Sequence, residues 1–361
     1  MKAVDIDFKE YSKKEWLDDI AKSLKTGSLE EFVWKLDENV NGQAFASRED
    51  IRPSGIEYSY KKKDNSWLRG LDYSLIPSEE INSYIKIHSG FGLESMIINI
   101  DESKFQFDMI LNGLDLTKYQ ILFNTRYGVD IILLMETFKD FLKEKEIDPK
   151  TLKIVLRLPF DNPEEMLELY KYLQINFPKI NYLYRSDKEL SYQPVKYLLD
   201  TFHDISDFVK LSEIDEEMTT DILSKLYFHF FLTEKFISNI AFLRAFKLVW
   251  KNYLKVLKIE NVDENIVIGI NHDAFTEDEN KDLIIATIVC MSSAIAGINT
   301  INIAPKETGI SDFQNFMRLL LNIQNMMIHE SNMNIVKHSM AGSYAIEDAT
   351  TRIAEEVWKE L

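Results

Sequence analysis

The sequence predicts an α/β protein, a closed (β/α)8 TIM barrel preceded by an extended and helical N-terminal arm. Two observations lead to this fold class. From about residue 79 onward, β-rich runs alternate with helical patterns, and eight such runs occur before the chain ends. Strict alternation implies parallel strands joined by right-handed crossovers, and eight units match a closed barrel.

The eight predicted strands are short runs of β-branched, aromatic and aliphatic residues. They are 96–100, 120–124, 152–157, 181–185, 226–232, 265–270, 300–304 and 334–337. An open doubly wound sheet is the alternative, but that fold usually carries a glycine-rich phosphate turn after its first strand. Here residues 99–104 contain acidic groups and no glycine, so the barrel is favoured.

Residues 1–78 are predicted to form the arm and a connector, and residues 79–361 are predicted to form the barrel. The helical part of the arm is indicated by apolar residues at helical spacing, followed by a further tryptophan: Trp16, Ile20, Leu24 and Trp34. Residues 46–78 have weaker periodicity and contain Pro and Gly turn signals. The lysine run 61–63 within them is expected to be a solvated loop.

Composition excludes several classes of partner. The 361-residue chain has 42 Lys and Arg against 59 Asp and Glu, a net charge of −17, which repels nucleic-acid phosphates and anionic lipid. Cys290 is the single cysteine, the N-terminus lacks a signal-peptide pattern, and the apolar runs are far below the roughly 20 residues that cross a bilayer. We therefore expect a cytoplasmic protein that binds neither nucleic acid nor membrane.

Active sites of such barrels lie at the carboxyl ends of the strands. Among the polar residues that follow the predicted strands, including Asn124 and Arg185, the pair His272 and Asp273 is best suited to general-base chemistry. An exposed loop histidine is the other interpretation. The six histidines lack the pair spacing of a metal site, so no metal is expected. Cys290 lies in an apolar helical pattern, where a buried and inert thiol is the expectation.

Two segments carry motifs that spacing alone does not explain. Residues 236–250 have the sequence F-I-S-N-I-A-F-L-R-A-F-K-L-V-W, and residues 341–358 have A-G-S-Y-A-I-E-D-A-T-T-R-I-A-E-E-V-W. They resemble F-F-x-E-I-A-K-x-R-A-x-R-x-L-W and A-G-S-Y-x-V-E-x-L-T-x-x-I-A-E-x-A-W of the methylmalonyl-CoA mutase family. Weaker similarity includes Arg318, Asn322 and Trp34, so the resemblance covers nearly the whole chain and also implies a barrel.

In that family a tyrosine and a histidine face the acyl group of a CoA ester beneath adenosylcobalamin. The resemblance places Asp72 at the position of the tyrosine and Thr233 at the position of the histidine. Neither a carboxylate nor a short hydroxyl can position a substrate carbonyl as a phenol and an imidazole do. The family's cobalamin signature, D-x-H-x-x-G, does not occur in the sequence, and we expect its C-terminal cobalamin-binding-like domain to be absent from this chain.

Bulky residues on both faces of runs such as 182–184 and 227–231 predict a barrel packed by its own side chains, with no tunnel for a CoA ester. The resemblance then implies the small, non-catalytic subunit of a heterodimeric methylmalonyl-CoA mutase, which isomerises methylmalonyl-CoA and succinyl-CoA. The expected partner is a large catalytic subunit that binds adenosylcobalamin and the ester, whereas this chain binds no cofactor and supplies no catalytic residue.

Two alternatives stay open. The chain can be an independent TIM-barrel CoA-ester isomerase or lyase that uses His272 and Asp273. It can also be an active homodimeric mutase if the alignment near Thr233 is displaced, although the nearest histidine, His229, is four positions away.

Overall fold

A computed structural model describes residues 11–24, 29, 32–38, 40–43, 45–50, 62–158, 163–185, 193–210, 215–276, 278–306 and 312–361. A short antiparallel ladder, β1 (Trp34–Lys35) and β2 (Asn41–Gly42), comes first. Eight parallel strands of the described chain then form a closed barrel, which confirms the predicted fold class. They are β3 (Leu68–Asp72), β4 (Ser95–Ile100), β5 (Gln120–Thr125), β6 (Lys153–Arg157), β7 (Asn181–Tyr184), β8 (Leu226–Leu232), β9 (Asn265–Ile270) and β10 (Thr300–Ile303), and β10 pairs with β3.

The helices begin with one helix in the arm, and the others lie in the connections between barrel strands or follow the last strand. They are α1 (Lys13–Ser23), α2 (Ser78–Ser89), α3 (Phe107–Leu111), α4 (Ile131–Glu144), α5 (Pro163–Asn176), α6 (Pro194–Val209), α7 (Glu216–Ser224), α8 (Phe236–Val256), α9 (Glu279–Ala296), α10 (Phe313–His329) and α11 (Tyr344–Glu360). Two of them, α6 and α7, occupy the single connection between β7 and β8.

Local sequence sets the ends of these helices. The Asp130 carboxylate accepts the Leu133 N–H at 2.9 Å and starts α4, and the Asp278 carboxylate starts α9 in the same way. Helix α9 ends at Gly297, whose φ of 73° lies in the left-handed region where glycine avoids a Cβ clash. These caps fix where each helix meets the rim of the barrel.

Successive side chains of each strand point alternately to the barrel axis and to the surrounding helices. In β4, Met96, Ile98 and Ile100 are fully buried in the core beneath the helices. Ile97 belongs to a separate apolar cluster with side chains of four other strands, so it faces the axis. Asn99, two residues on, faces the axis at the carboxyl end of the same strand.

The arm is attached to the barrel of its own chain. Leu36 and Val40, on either side of the turn between β1 and β2, are 1% and 6% exposed and belong to the main core. The Asp37 carboxylate accepts the Val195 N–H at 2.7 Å, which caps the start of α6. The described side chains of α1 all stay partly exposed, and Trp16 stacks on Phe45 with ring centroids 4.1 Å apart.

Two strand assignments from the sequence are wrong. The first barrel strand is β3, which lies inside the segment 1–78 predicted as arm, so the barrel begins before residue 79. It was missed because Leu-Arg-Gly-Leu-Asp has low β preference. Its Gly70 is required by close approach, since a β-carbon there would lie 1.7 Å from Asn302 Oδ1. The other seven barrel strands lie at the predicted positions.

The predicted eighth strand, 334–337, forms turns instead. Ile335 and Val336 are 62% and 59% exposed, so their β-branched side chains have no core to cover. Positive φ angles at Asn332 and His338 interrupt an extended backbone on either side. The expectation for the lysine run is also wrong at Lys62, which is half-buried and donates to the Ile298 carbonyl at 2.6 Å. Lys61 lies outside the described residues.

Candidate functional site

The carboxyl ends of the strands surround a small polar cavity, which we call the mouth cavity. Its volume is about 140 Å³. Side chains from the ends of several strands line it, including Asp72, Asn99, Asn124, Arg185 and His272. This is the place where (β/α)8 barrels carry their chemistry, and the side chains that surround it decide what the site can do.

Asp72 is held at the end of β3 by its own turn. Ser74 donates its backbone N–H to the Asp72 carboxylate at 2.8 Å, and its hydroxyl bonds the same oxygen. Burial raises the pKa of the Asp72 carboxyl above its ordinary value, although the bonds from Ser74 and the positive charge of Arg185 oppose that rise. The group is therefore a buried carboxyl already engaged by its neighbour.

The amides of the mouth cavity bond one another. Asn124 donates its side-chain N–H to Asn99 Oδ1 at 2.5 Å, and Asn99 donates to the Ser74 carbonyl at 3.4 Å. Arg157 lies behind them and donates to the Thr125 carbonyl at 3.3 Å. Because these polar groups satisfy each other, they stabilise the rim of the barrel as a network.

Below the mouth cavity an apolar layer crosses the barrel axis. It consists of one fully buried side chain from each of five strands, packed with partly buried Tyr227: Ile97, Leu122, Val155, Leu183 and Val267. Beneath this layer the interior is polar and hydrogen-bonded, with Thr300 donating to Gln120 Oε1 at 2.9 Å. At this level the bore is filled by the protein's own side chains, as the bulk of the strands predicts.

His229 faces the axis but does not reach the mouth cavity. It is 1% exposed, and the Phe231 ring lies next to it with centroids 4.4 Å apart. Burial holds the pKa of His229 well below its ordinary value, so the imidazole is neutral. Its two ring nitrogens have no hydrogen-bond partner among the described residues.

Thr233 and Asp72 do not form one site. Thr233 is buried just after β8, where its carbonyl accepts the Asn239 side-chain N–H at 2.7 Å and its hydroxyl accepts the Lys235 backbone N–H at 3.4 Å. Thr233 therefore shapes the turn that leads into α8, whereas Asp72 lines the mouth cavity. The two residues that the resemblance places at catalytic positions thus have separate local structural roles.

The structure brings His272 to the mouth cavity but does not join it to Asp273. Both side chains are exposed, in the short turn that follows β9. The Asp273 backbone N–H is donated to Asn271 Oδ1 at 3.0 Å, and no hydrogen bond between the His272 ring and the Asp273 carboxylate occurs in the described chain. His272 thus lacks the oriented carboxylate of a general-base pair.

The residues at the mouth cavity do not fit adenosylcobalamin. Organic cofactors occupy cavities of roughly 300–1,000 Å³, well above the volume available here. The two histidines nearest this end would not hold such a group, since His229 is buried beside Phe231 and His272 lies on an exposed turn. The described residues also contain no cluster of three His, Cys, Asp or Glu suited to a metal ion.

Two further predictions lie outside the mouth cavity, one about Cys290 and one about membrane-spanning helices. Cys290 is fully buried, which confirms the predicted buried thiol, and burial raises the pKa of that thiol. Within the described ranges no helix has the length and apolar character needed to span a membrane.

The two family-like segments meet in the structure. Helix α8 carries the first and α11 the second, and the helices pack against each other. Arg244 donates to the Glu347 carboxylate at 2.6 Å, and the Gly342 N–H is donated to the same oxygen at 3.0 Å. Both partners of the ion pair are about 10% exposed or less as whole residues. The sequence did not reveal this buried pair, and its role is to join the last helix to the barrel.

Together the fold and the site define a (β/α)8 barrel protein with a small mouth, an axis closed by apolar side chains and a last helix locked by a buried ion pair. The family model for methylmalonyl-CoA mutase matches residues 100–361. The chain therefore belongs to the methylmalonyl-CoA mutase family, which confirms the resemblance found in its sequence.

Two curated relatives give the same family. The methylmalonyl-CoA mutase small subunit of Porphyromonas gingivalis is 24% identical, over 98% of this chain and 62% of the relative. A methylmalonyl-CoA mutase of Rhizobium meliloti is 22% identical, over 53% of this chain and 28% of the relative. The chain thus spans less than two thirds of either relative's length.

A solved glucosidase from Croceicoccus marinus aligns with 72% of this chain and 68% of its own. The identity is 10% and the TM-score is 0.43. The barrel assignment rests on the strand pairing and not on this likeness.

Proposed function

We propose that this chain is the small, non-catalytic subunit of a heterodimeric methylmalonyl-CoA mutase and that it works in the cytoplasm. Its partner is a large mutase subunit that binds adenosylcobalamin and the CoA ester and isomerises methylmalonyl-CoA and succinyl-CoA. This chain supplies a packed barrel and an arm that contacts the partner.

The observation that carries the proposal is the apolar layer across the barrel axis. A pantetheine chain that runs along the axis needs a continuous bore, but Leu122, Leu183 and Val267 are fully buried against one another. The small volume above this layer leaves room for a few atoms only. A barrel filled in this way is suited to a structural role beside a catalytic partner and not to binding a thioester.

The replaced catalytic positions give independent support. Asp72 is engaged by Ser74, and Thr233 accepts a hydrogen bond in the turn before α8, so neither presents a phenol or an imidazole to a substrate. The similarity to a relative named as a small subunit points the same way.

Exposed apolar side chains of the arm support the proposal that the arm contacts the partner. They include Tyr11, Phe32 and Val33, at 57%, 49% and 43% exposure. Since Leu36 and Val40 anchor the segment that follows Phe32 and Val33 in the core, these two side chains are held on the surface. Obligate interfaces bury roughly 2,000 Å² or more and are apolar, so such an anchored surface suits a permanent partner.

The test is turnover by the purified chain with methylmalonyl-CoA and adenosylcobalamin, with and without the large mutase chain of the same genome. We expect no turnover and no cobalamin absorbance from the chain alone, and a stable complex that is active. Replacing Phe32 and Val33 with Ser should weaken the complex, whereas Ile175→Ser, 82% exposed on α5, serves as the matched control. Turnover by the chain alone contradicts the proposal.

One observation favours a second candidate. His272 and Asp72 line the same cavity. These groups are what an independent CoA-ester isomerase or lyase would use. The variant His272→Ala separates the two functions.

A further inference from the structure

The sequence contains the dipeptide Asn-Gly twice, at Asn41-Gly42 and at Asn112-Gly113. This dipeptide is prone to spontaneous loss of ammonia from the asparagine, because glycine has no side chain that keeps the carboxamide away from its backbone nitrogen. The two copies carry the same reactive groups. A difference in their reactivity in the folded chain must therefore come from the structure around them.

Asn112 and Gly113 lie in an exposed turn directly after α3. Gly113 has a φ of 74°, in the left-handed region that glycine readily adopts. In the described part of the chain, neither the Gly113 N–H nor the Asn112 carboxamide makes a hydrogen bond. The backbone nitrogen that attacks and the carboxamide that is attacked are thus both unengaged and open to water.

Two side chains of α2 lie against this turn. Asn82 donates its side-chain N–H to the carbonyls of Ile110 at 2.7 Å and Asn112 at 3.1 Å, which holds the turn next to α2. Lys86 lies one helical turn further along, and its Nζ is 3.6 Å from the position of a β-carbon on Gly113. Its positive charge is placed to stabilise the negative charge that develops when the Gly113 nitrogen attacks.

The other dipeptide, Asn41-Gly42, is held in the ladder of β1 and β2. Asn41 pairs with Lys35 and Gly42 pairs with Trp34. Gly42 is buried, and a β-carbon on it would overlap the Trp34 indole ring. Because pairing and the ring fix this peptide, the reaction there requires local opening of the ladder.

We propose that Asn112 is a site of spontaneous modification to aspartate and isoaspartate, assisted by the charge of Lys86, and that Asn41 is protected in the folded chain. The Gly113 backbone nitrogen attacks Cγ of Asn112. The N–Cγ bond forms, the Cγ–Nδ2 bond breaks, and ammonia leaves with the proton from the Gly113 nitrogen. Water then opens the resulting succinimide ring at either carbonyl, which gives aspartate or isoaspartate.

The modification changes both charge and backbone at the end of α3. Either product adds a carboxylate beside Lys86, and isoaspartate also adds a methylene group to the main chain. Ile110 and Leu111, which precede the site, are buried in the core. The longer main chain would move the carbonyl that Asn82 binds and so weaken the connection between α2 and α3. The site is independent of the subunit role, because it lies outside the arm and does not line the mouth cavity.

The test is incubation of the whole chain in mildly alkaline buffer, followed by tryptic digestion and mass spectrometry. The tryptic peptides 36–48 and 105–118 each contain one of the two dipeptides. We expect Asn112 to convert at least about tenfold faster than Asn41 in the folded chain, because only Asn41 must wait for local opening. In urea the two rates should become similar. Equal rates in the folded chain, or no conversion of Asn112, overturn the proposal.

Variants test the assistance from α2. Lys86→Gln should slow the conversion of Asn112 in the folded chain at least about threefold, because it removes the charge beside the attacking nitrogen. The same variant should have no effect in urea or on Asn41. Lys359→Gln, an exposed lysine on α11, is the matched control. Asn112→Gln should abolish the mass change in peptide 105–118. An unchanged rate in folded Lys86→Gln overturns the role of Lys86.

Discussion

The two ends of the barrel differ in the opposite sense from most (β/α)8 proteins. At the carboxyl end the cavity is about 140 Å³, and amides such as Asn99 and Asn124 bond one another. At the amino end a cavity of about 580 Å³, the amino-end cavity, lies between α8 and the starts of β9 and β10 and is lined by Lys62 and Lys247 among others. Barrels usually place their sites at the carboxyl ends of the strands. The side chains that fill the axis, and not the fold alone, therefore decide which end has room for a ligand.

The largest effect expected is at the ion pair that borders the amino-end cavity. Arg244 and Glu347 are 8% and 11% exposed as side chains and 2.6 Å apart. Arg244→Ala leaves the Glu347 carboxylate buried without its main partner, which costs about 3–5 kcal/mol of unfolding free energy. Urea unfolding followed by circular dichroism measures this loss.

The matched control is Lys359→Ala on the same helix α11. Its ion pair with Glu356 has a lysine that is 67% exposed, so its loss should change stability by less than about 1 kcal/mol. If the two variants lose similar amounts, the pair between α8 and α11 does not hold the amino end together.

The second prediction concerns the layer that separates the two ends. Leu122→Ala should cost about 2–5 kcal/mol, because it removes a fully buried side chain and leaves a cavity in a packed layer. The same variant should gain no mutase activity in the isolated chain. Chemical unfolding and the turnover assay together measure both outcomes.

Ile175→Ala is the control for this variant, since Ile175 is 82% exposed and its truncation should change stability by less than about 0.5 kcal/mol. A similarly small loss for Leu122→Ala would mean that the axis is not closed at this level. The contrast between the two ends of the barrel would then disappear.

How much of the fold the sequence predicts depends on whether a strand carries its own signal. Aromatic and β-branched runs such as β8 are recognised because bulk and β preference agree with burial. Strand β3 is not recognised from the sequence, because Gly70 has low β preference. A glycine is needed there since a β-carbon would clash with Asn302, which is far from Gly70 in sequence. The run at 334–337 shows the opposite case. Its β-branched residues predict a strand, but Ile335 and Val336 are exposed and form no strand.

The same limit applies to the sites. The position of His272 at the mouth follows from the strand count, but its lack of a bond to Asp273 depends on side-chain geometry. The amino-end cavity was missed because Lys62 belongs to a lysine run that looks solvated. Only tertiary packing brings its ammonium group to the Ile298 carbonyl, 236 residues away in sequence. Residues that acquire their role through such distant contacts leave no local pattern.

The third prediction uses the charge at the amino end. The pKa of Lys62 is about 8 in the folded protein and 10.5 without the fold, so the unfolded chain binds the proton more tightly between these values. Stability from this group is therefore gained as pH rises from about 8 to 10.5. The stability difference between wild type and Lys62→Met should shift in favour of wild type over this range, by up to roughly 3 kcal/mol.

Thermal or urea unfolding of both proteins at several pH values measures the shift. Lys247, whose pKa is also lowered by burial, and the acidic neighbours Glu264 and Asp64 are present in both proteins and largely cancel in the difference. A constant difference across the range would mean that the Lys62 ammonium group is as well solvated in the folded chain as in the unfolded one.

The smallest effect is expected at the mouth cavity. His272 is exposed and not bonded to Asp273, so His272→Ala should change unfolding free energy by less than about 0.5 kcal/mol. In the complex with the large subunit, the rate of methylmalonyl-CoA isomerisation should change less than about twofold. Asp273→Asn, in the same turn, is the matched control. A fall of about 10²- to 10⁴-fold for His272→Ala alone is the usual contribution of a general base. That result would mean that His272 acts in catalysis at the carboxyl end of this barrel, and it would favour the independent isomerase or lyase.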